Sequence, residues 1–163
     1  MIKITVPHSQ VGFSLVELLV VIFVIGVLAA LLTTNLAGVR SRAEDSKAKA
    51  DLQDLKKALR IYYNDYQSYP DDSGGAIVGC GSAGTSVCSD GTFSNGSSTI
   101  YMKELPENFN YYSDGDEEFL LVIGINNISD QDIASSQSLC DPASRAYYSD
   151  GPIDTDEFVT CEN

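Results

Sequence analysis

The sequence predicts an α+β protein: a long N-terminal helix, apolar in its first half and amphipathic in its second, packed on a small antiparallel β-sheet. Three observations lead there. From Phe13 to Leu32 the chain runs twenty residues with Glu17 as the only ionisable side chain. From Ala48 to Tyr66 apolar residues recur at helical spacing. After Asn108, two aromatic and β-branched runs flank Asp114-Gly115-Asp116, the pattern of a hairpin.

Twenty apolar residues rising about 1.5 Å each make a helix roughly 30 Å long, the thickness of a bilayer's hydrocarbon core. A carboxylate inside such a segment costs about 2.5–3.5 kcal/mol on insertion scales, so Glu17 is expected to have a partner and a task. Before the run stands a polar leader carrying Lys3 and His8, and Lys3 fits a cytoplasmic start. A secretory signal fits poorly: the apolar part exceeds the usual length, and no small-x-small cleavage site leads into a polar mature start. Gly26, Thr33-Thr34-Asn35 and Gly38 are weak helix formers that make local melting cheap.

The next segment, Val39 to Tyr66, reads as an amphipathic helix. Ala48, Leu52, Leu55, Leu59, Tyr62 and Tyr66 fall at steps of four and three, forming one stripe, while Asp51, Asp54, Lys56, Lys57 and Arg60 lie opposite. The stripe is read as the core face of the helix. Its end is expected near Gln67, because Pro70 disfavours helix at Tyr69 and Asp71-Asp72-Ser73-Gly74-Gly75 is turn chemistry. Unbroken from Phe13, the helix would be roughly 80 Å long.

Ala76 to Ser98 is rich in Gly and Ser and is read as a loop that needs a staple. Ile100 to Pro106 reads as a short helical turn. Phe109–Ser113 and Glu118–Ile125 are the hairpin, and the nearly continuous apolar run from Phe119 to Ile125 suits a central strand on the long helix. A loop then leads through Cys140 to Arg145–Ser149, an expected third strand, and Glu157–Cys161 is an expected fourth. The domain division is 1–12 leader, 13–33 transmembrane and assembly helix, and 34–163 extracytoplasmic globular domain, with the amphipathic helix running to about 67.

The net charge of −13 conceals a split. Phe13 to Arg60 holds seven Lys/Arg and five Asp/Glu, a balance of +2, whereas Ile61 to Asn163 holds two basic and eighteen acidic residues, a balance of −16. So acidic a domain offers no basic face for nucleic acid. The acids are read as solvated surface. Asp150, Asp154, Asp156 and Glu157 are the set that could gather oxygens around calcium, but they lack EF-hand spacing.

Cys80, Cys88, Cys140 and Cys161 are even in number, and outside the cytoplasm disulfides persist. No C-x-x-C pair supports zinc, and the lone His8 lies in the leader. Two disulfides are therefore expected. Pairing Cys80 with Cys88 and Cys140 with Cys161 closes two short loops, although four cysteines permit three pairings. No catalytic constellation is visible. Without His beyond the leader there is no Ser/His or Cys/His pair, no phosphate-binding Gly loop sits between a strand and a helix, and no two carboxylates stand out as acid and base.

The run Gly12-Phe13-Ser14-Leu15-Val16-Glu17, leading into Leu18–Leu32, resembles the class III signal of type IV prepilins and type II secretion pseudopilins. Arg60 to Tyr69-Pro70 also resembles the end of the long pilin helix. The resemblance implies the pilin fold and a structural, non-enzymatic subunit. It implies cleavage by a prepilin peptidase between Gly12 and Phe13, N-methylation of Phe13, and a role for Glu17 in assembly through the amine of a neighbouring subunit. The implied partners are further copies in a helical filament, the peptidase, and an inner-membrane assembly platform with its ATPase. The implied location is the inner membrane, single-pass with the N-terminus cytoplasmic, and afterwards an extracellular filament or periplasmic pseudopilus. Many relatives carry Pro where Thr34 stands, and some major pseudopilins bind calcium late in the chain. The lack of an Asp-Pro-Trp-Gly segment favours a pilus over a secretion pseudopilus. A membrane-anchored binding domain is the alternative from another class.

Overall fold

The computed structural model describes residues 12–33, 36–88, 91–96, 99–141, 145, 147–148 and 153–162. It divides into two units, one ending at Val39 and the other running from Arg40. The first holds α1 (Leu15–Thr33), and α2 (Leu36–Tyr66) begins just before the boundary. Thr34 and Asn35, where one unbroken helix was expected, lie outside the described residues.

In the second unit the stripe does what its spacing dictates. Leu52, Leu55 and Leu59 are fully buried, with Ala58 and Tyr62 nearly so. Ala48 packs at the margin. Tyr66, expected to continue the stripe, is instead 47% exposed, with its ring against Tyr62 at 4.5 Å. The helix stops where Gln67 takes a positive φ of 59° and donates its N–H to Tyr63 O at 2.7 Å, a left-handed C-terminal cap that Pro70 then reinforces.

The principal sheet has three antiparallel strands, β6 (Phe109–Ser113), β7 (Phe119–Gly124) and β8 (Glu157–Glu162), with β7 in the middle. Every residue from Phe119 to Ile123 is buried because β7 is covered on both faces. Phe119, Leu121 and Ile123 pack in the core with α2. Leu120 and Val122 pack with Tyr112, Val159, Cys140 and Cys161, beneath Tyr147, Tyr148 and Ile153. A strand covered on both sides reads as a continuous apolar run, with no alternation. The hairpin turn is held by Asp114, whose Oδ1 accepts from the N–H groups of Asp116 and Glu118 at 2.9 and 3.1 Å.

Between α2 and this sheet the structure corrects the sequence reading. Asp71-Asp72-Ser73 is a strand, β1 (Asp71–Ser73), paired with β2 (Ala76–Cys80) through Gly74-Gly75. Both glycines have positive φ, 58° and 81°, the geometry a two-residue hairpin loop demands. The expected loop 76–98 contains β2, β3 (Ser86–Val87) and β4 (Phe93–Ser94). The expected helical turn at Ile100–Pro106 begins instead with β5 (Ile100–Met102), paired with β4 and closed over the fully buried Phe93.

Two further corrections follow β7. The presumed loop contains a helix, α3 (Gln131–Leu139), N-capped by Asp130, whose side chain accepts from Asp132 N–H. The strand expected at Arg145–Ser149 is not formed where it is described: Arg145, Tyr147 and Tyr148 lie in irregular chain, and β8 takes the place beside β7. The disulfides join Cys80 to Cys88 and Cys140 to Cys161. The first ties β2 to the residue just after β3, and the second ties the end of α3 to β8.

Candidate functional site

Of the N-terminal residues singled out by the sequence, Gly12, Phe13 and Glu17 are described, and Met1 to Val11 lie outside the described residues. A Cβ added at Gly12 would meet nothing within 4 Å. Among the described residues, therefore, nothing requires glycine at this position. Phe13 is 77% exposed.

Ser14-Leu15-Val16-Glu17 opens α1 as a capping box. Ser14 O accepts the N–H of Leu18 at 3.3 Å, and the Glu17 carboxylate reaches back to accept the Ser14 N–H at 3.0 Å. One of the donors a helix start leaves unpaired is thereby satisfied, and the negative charge sits at the positive end of the helix dipole. The S-x-x-E spacing carried this signal in the sequence. It gives the acid a backbone partner within its own helix, beside the amine partner that the resemblance implies. If the chain is cut after Gly12, the new Phe13 amine stands four residues before Glu17, one turn away on the same face.

Beyond Glu17, α1 is apolar all round and uncovered. Its large apolar side chains are 47–80% exposed, and a Cβ at Gly26 would also meet nothing. A helix that is apolar on every side is one that ends up surrounded, by lipid or by protein. Among the described residues, no helix is long and apolar enough to cross a membrane. The described side chains of α1 run from Leu15 to Ala30, about 24 Å of rise against a hydrocarbon core about 30 Å thick.

The remaining candidates lie in the second unit. Asp150 is outside the described residues. Asp154 O accepts from Glu157 N–H and Gln137 Nε2, and Glu157 Oε2 accepts from Asp154 N–H at 2.9 Å. Glu157 is thus engaged within its own turn, and among the described residues no group of three or more His, Cys, Asp or Glu is gathered to hold a metal.

Two polar anchors escaped the sequence reading. Asp45 on α2, 3% exposed, accepts from Asn126 N–H, Asn126 Nδ2 and Asn127 N–H at 2.7–3.0 Å, so one buried carboxylate fixes the start of the loop after β7. Lys49, one turn on, donates to Asp130 and Asp132 at 2.5 and 2.9 Å. Burial pulls the Lys49 ammonium down, but the two carboxylates outweigh it and leave its pKa raised. Burial is the main cause that pushes the Tyr69 phenol up to about 12.

The N-terminal site is therefore a helix start capped through Glu17 and followed by exposed apolar side chains. Comparison with known proteins points to the same segment. The prokaryotic N-terminal methylation motif matches residues 8–33. The chain is 43% identical over 63 residues to the type II secretion system core protein G of Pectobacterium carotovorum subsp. carotovorum, covering 39% of this chain and 40% of that one. It is 45% identical over 62 residues to the type II secretion system core protein G of Escherichia coli, covering 38% and 43%. It is 42% identical over 66 residues to the type IV wide pilus major component PilA4 of Thermus thermophilus, covering 40% and 50%. The matches thus span half or less of each of these relatives. No solved structure matches. The likeness to type II secretion core proteins and to a type IV pilin is thus confined to the N-terminal segment of the chain.

Proposed function

We propose that the chain is a structural, non-catalytic subunit of a type IV pilus-like filament. A prepilin peptidase removes residues 1–12, methylates Phe13, and leaves the subunit held in the inner membrane by Phe13–Leu32 with its N-terminus cytoplasmic. An assembly platform and its ATPase then move the helix from lipid into a stack of copies, on the cell surface or as a periplasmic pseudopilus. The observation that carries this reading is α1 itself, capped through Glu17 and with its described large apolar side chains exposed. The methylation motif over residues 8–33 supports the processing step.

A secretion pseudopilus is the second reading, favoured by the relatives that are type II secretion core proteins. Electron microscopy of cells with and without the gene tests the first reading. Surface filaments that vanish on deletion and return on complementation are expected. Secretion loss with no surface filament would select the pseudopilus, and neither defect would remove both.

A further inference from the structure

Within the second unit the charges are divided along α2. Seven of the ten Lys and Arg of the chain lie on this helix, from Arg40 to Arg60. Its first turns stand clear of the core: Arg40, Arg42 and Lys47 are all exposed. Arg42 makes no ion pair among the described residues. Arg40 donates from Nε to Glu44 Oε1 at 2.9 Å and Lys47 stands 3.8 Å from Asp51, both solvent-facing pairs whose basic side chains are 83% and 78% exposed.

The opposite charge gathers at the other end. The β6–β7 turn carries Asp114, Asp116 and Glu117, and Asp116 O accepts the N–H of Tyr69 at 2.9 Å, three residues past the end of α2. Asp71 stands beside the same turn, close enough that a Cβ on Gly115 would lie 2.7 Å from its Oδ1. Asp116 and Glu117 are exposed and make no ion pair among the described residues. Arg40 and Tyr66 are 26 residues apart on one helix, about 39 Å. That is several Debye lengths at physiological salt, so the two ends cannot neutralise one another within a chain.

We propose that the exposed first turns of α2 dock on the β6–β7 turn of a second copy, Arg40, Arg42 and Lys47 meeting Asp114, Asp116 and Glu117. This rests on the filament reading above and names the contact that sets the spacing of the globular domains. Charge complementarity fixes the occupant. Beyond Tyr66 the chain carries seventeen acidic against two basic residues, and α2 supplies seven of its ten basic residues, so the acidic turn of one copy finds its opposite charge on the α2 of another. A patch at one end that fits a different patch at the other is a heterologous contact, and heterologous contacts propagate into open filaments instead of closing into dimers.

The test uses the full chain in its own cells and reads two quantities, sheared filament subunit and processed subunit in the membrane. Arg40→Glu with Arg42→Glu, and separately Asp116→Lys with Glu117→Lys, should each lower sheared filament about tenfold with the membrane pool unchanged. The four changes together should restore it to within about threefold of wild type. Filament yield unaffected by either pair, or a combined variant no better than its parents, would overturn the contact. A fall in the membrane pool with the arginine reversal would assign the basic turns to lipid phosphate and also overturn it. An Arg42→Cys, Asp116→Cys chain should give inter-copy disulfide dimers in isolated membranes and filaments. This readout separates the two claims: dimers without any filament leave the contact standing and remove the filament reading, whereas filaments without dimers or charge rescue do the reverse.

Discussion

Helices α1 and α2 follow one another in the chain and distribute their apolar residues in opposite ways. In α1 the large apolar side chains that are described lie on every side of the helix and are exposed, from 47% at Val24 to 80% at Leu15. In α2 Leu52, Leu55 and Leu59 share one face and are fully buried, while Ile61 on another face is 53% exposed. A one-sided stripe is a code that the same chain can read, because one sheet covers it. An all-round stripe cannot be satisfied by a single sheet, so its complement lies outside the molecule. The core face of the second unit lies on α2, and the filament reading proposed above rests on α1. Substitutions should separate the two.

The largest effect is expected at Glu17. Its carboxylate caps the Ser14 N–H; if the chain is cut after Gly12 as proposed, the Phe13 amine would compete for it, in cis or from a neighbour. Two unit charges about 4 Å apart attract by about 4 kcal/mol at an effective dielectric near 20, before desolvation is counted. Glu17→Ala should leave insertion and leader removal intact and abolish filaments or reduce them at least tenfold, and Glu17→Asp should do so partly. Gly12→Val should retain the leader, with Gly12→Ala milder. Sheared filaments measured beside the mass of the membrane-bound subunit decide the matter. Normal filaments from a correctly processed Glu17→Ala chain would sink the assembly role.

Next comes the core face of α2. A chain beginning at Arg40, where the second unit begins, should be a soluble monomer with one cooperative unfolding transition. Leu55→Ala in that chain should lose about 2–5 kcal/mol, as buried Leu truncations do. Val21→Ala in the full-length protein should not shift the melting of the globular domain at all, because Val21 packs on nothing described. Equal destabilisation by both would break the contrast between the helices.

Much of this contrast was legible in the sequence. An unbroken apolar run located α1, helical periodicity located α2, and the Asp-Gly-Asp turn located β6 and β7. The double burial of β7 was visible as a continuous apolar run. What escaped were elements whose signal is short. Three-residue strands such as β1 and β5 are too brief to show alternation, and Gly74-Gly75 reads equally as a helix stop and a hairpin loop. In α3 the interior holds three serines and one buried Ile, so no apolar period announces it and only the Asp130 cap does. Tyr66 was misplaced because the stripe runs past the end of the surface that covers it. At the candidate site, Gly12, Phe13 and Glu17 were legible as a motif, but the capping bond was passed over because the acid was weighed as a cost of insertion and not as a helix start.

The disulfides come third. Cys140–Cys161 spans 21 residues and joins two elements of the second core cluster, and Cys80–Cys88 spans 8 and ties a hairpin edge. Loop entropy gives about 3 kcal/mol for the longer and somewhat less for the shorter. Paired Ser substitutions should therefore lower the melting temperature more at Cys140/Cys161 than at Cys80/Cys88. The reverse order would mean that the Tyr112–Val159 side of the sheet holds without its staple.

The smallest effect expected is one of pH, confined to the second unit. The Asp130 carboxyl is held below its ordinary range first by the hydrogen bond from Lys49 and then by the Asp132 N–H that it caps. A carboxyl with a lowered pKa stabilises the fold at pH values above its unfolded value, about 3.9, and loses that contribution as pH falls through the folded value. Lys49, raised by the same partners, contributes below about 10.4 and loses its share only as pH climbs past that. Neutral pH therefore keeps both contributions, and acid removes the first. Asn caps a helix as well as Asp does, so Asp130→Asn in the chain from Arg40 deletes the charge and spares the cap. With side chains 16% and 24% exposed at Lys49 and Asp130, the pair should be worth about 1 kcal/mol. Melting temperatures of the two proteins should differ by a few degrees at pH 7, converge below pH 4, and draw together at pH 7 in about 1 M salt. A difference that persists undiminished at pH 2 would show that Asp130 acts by shape and not by charge.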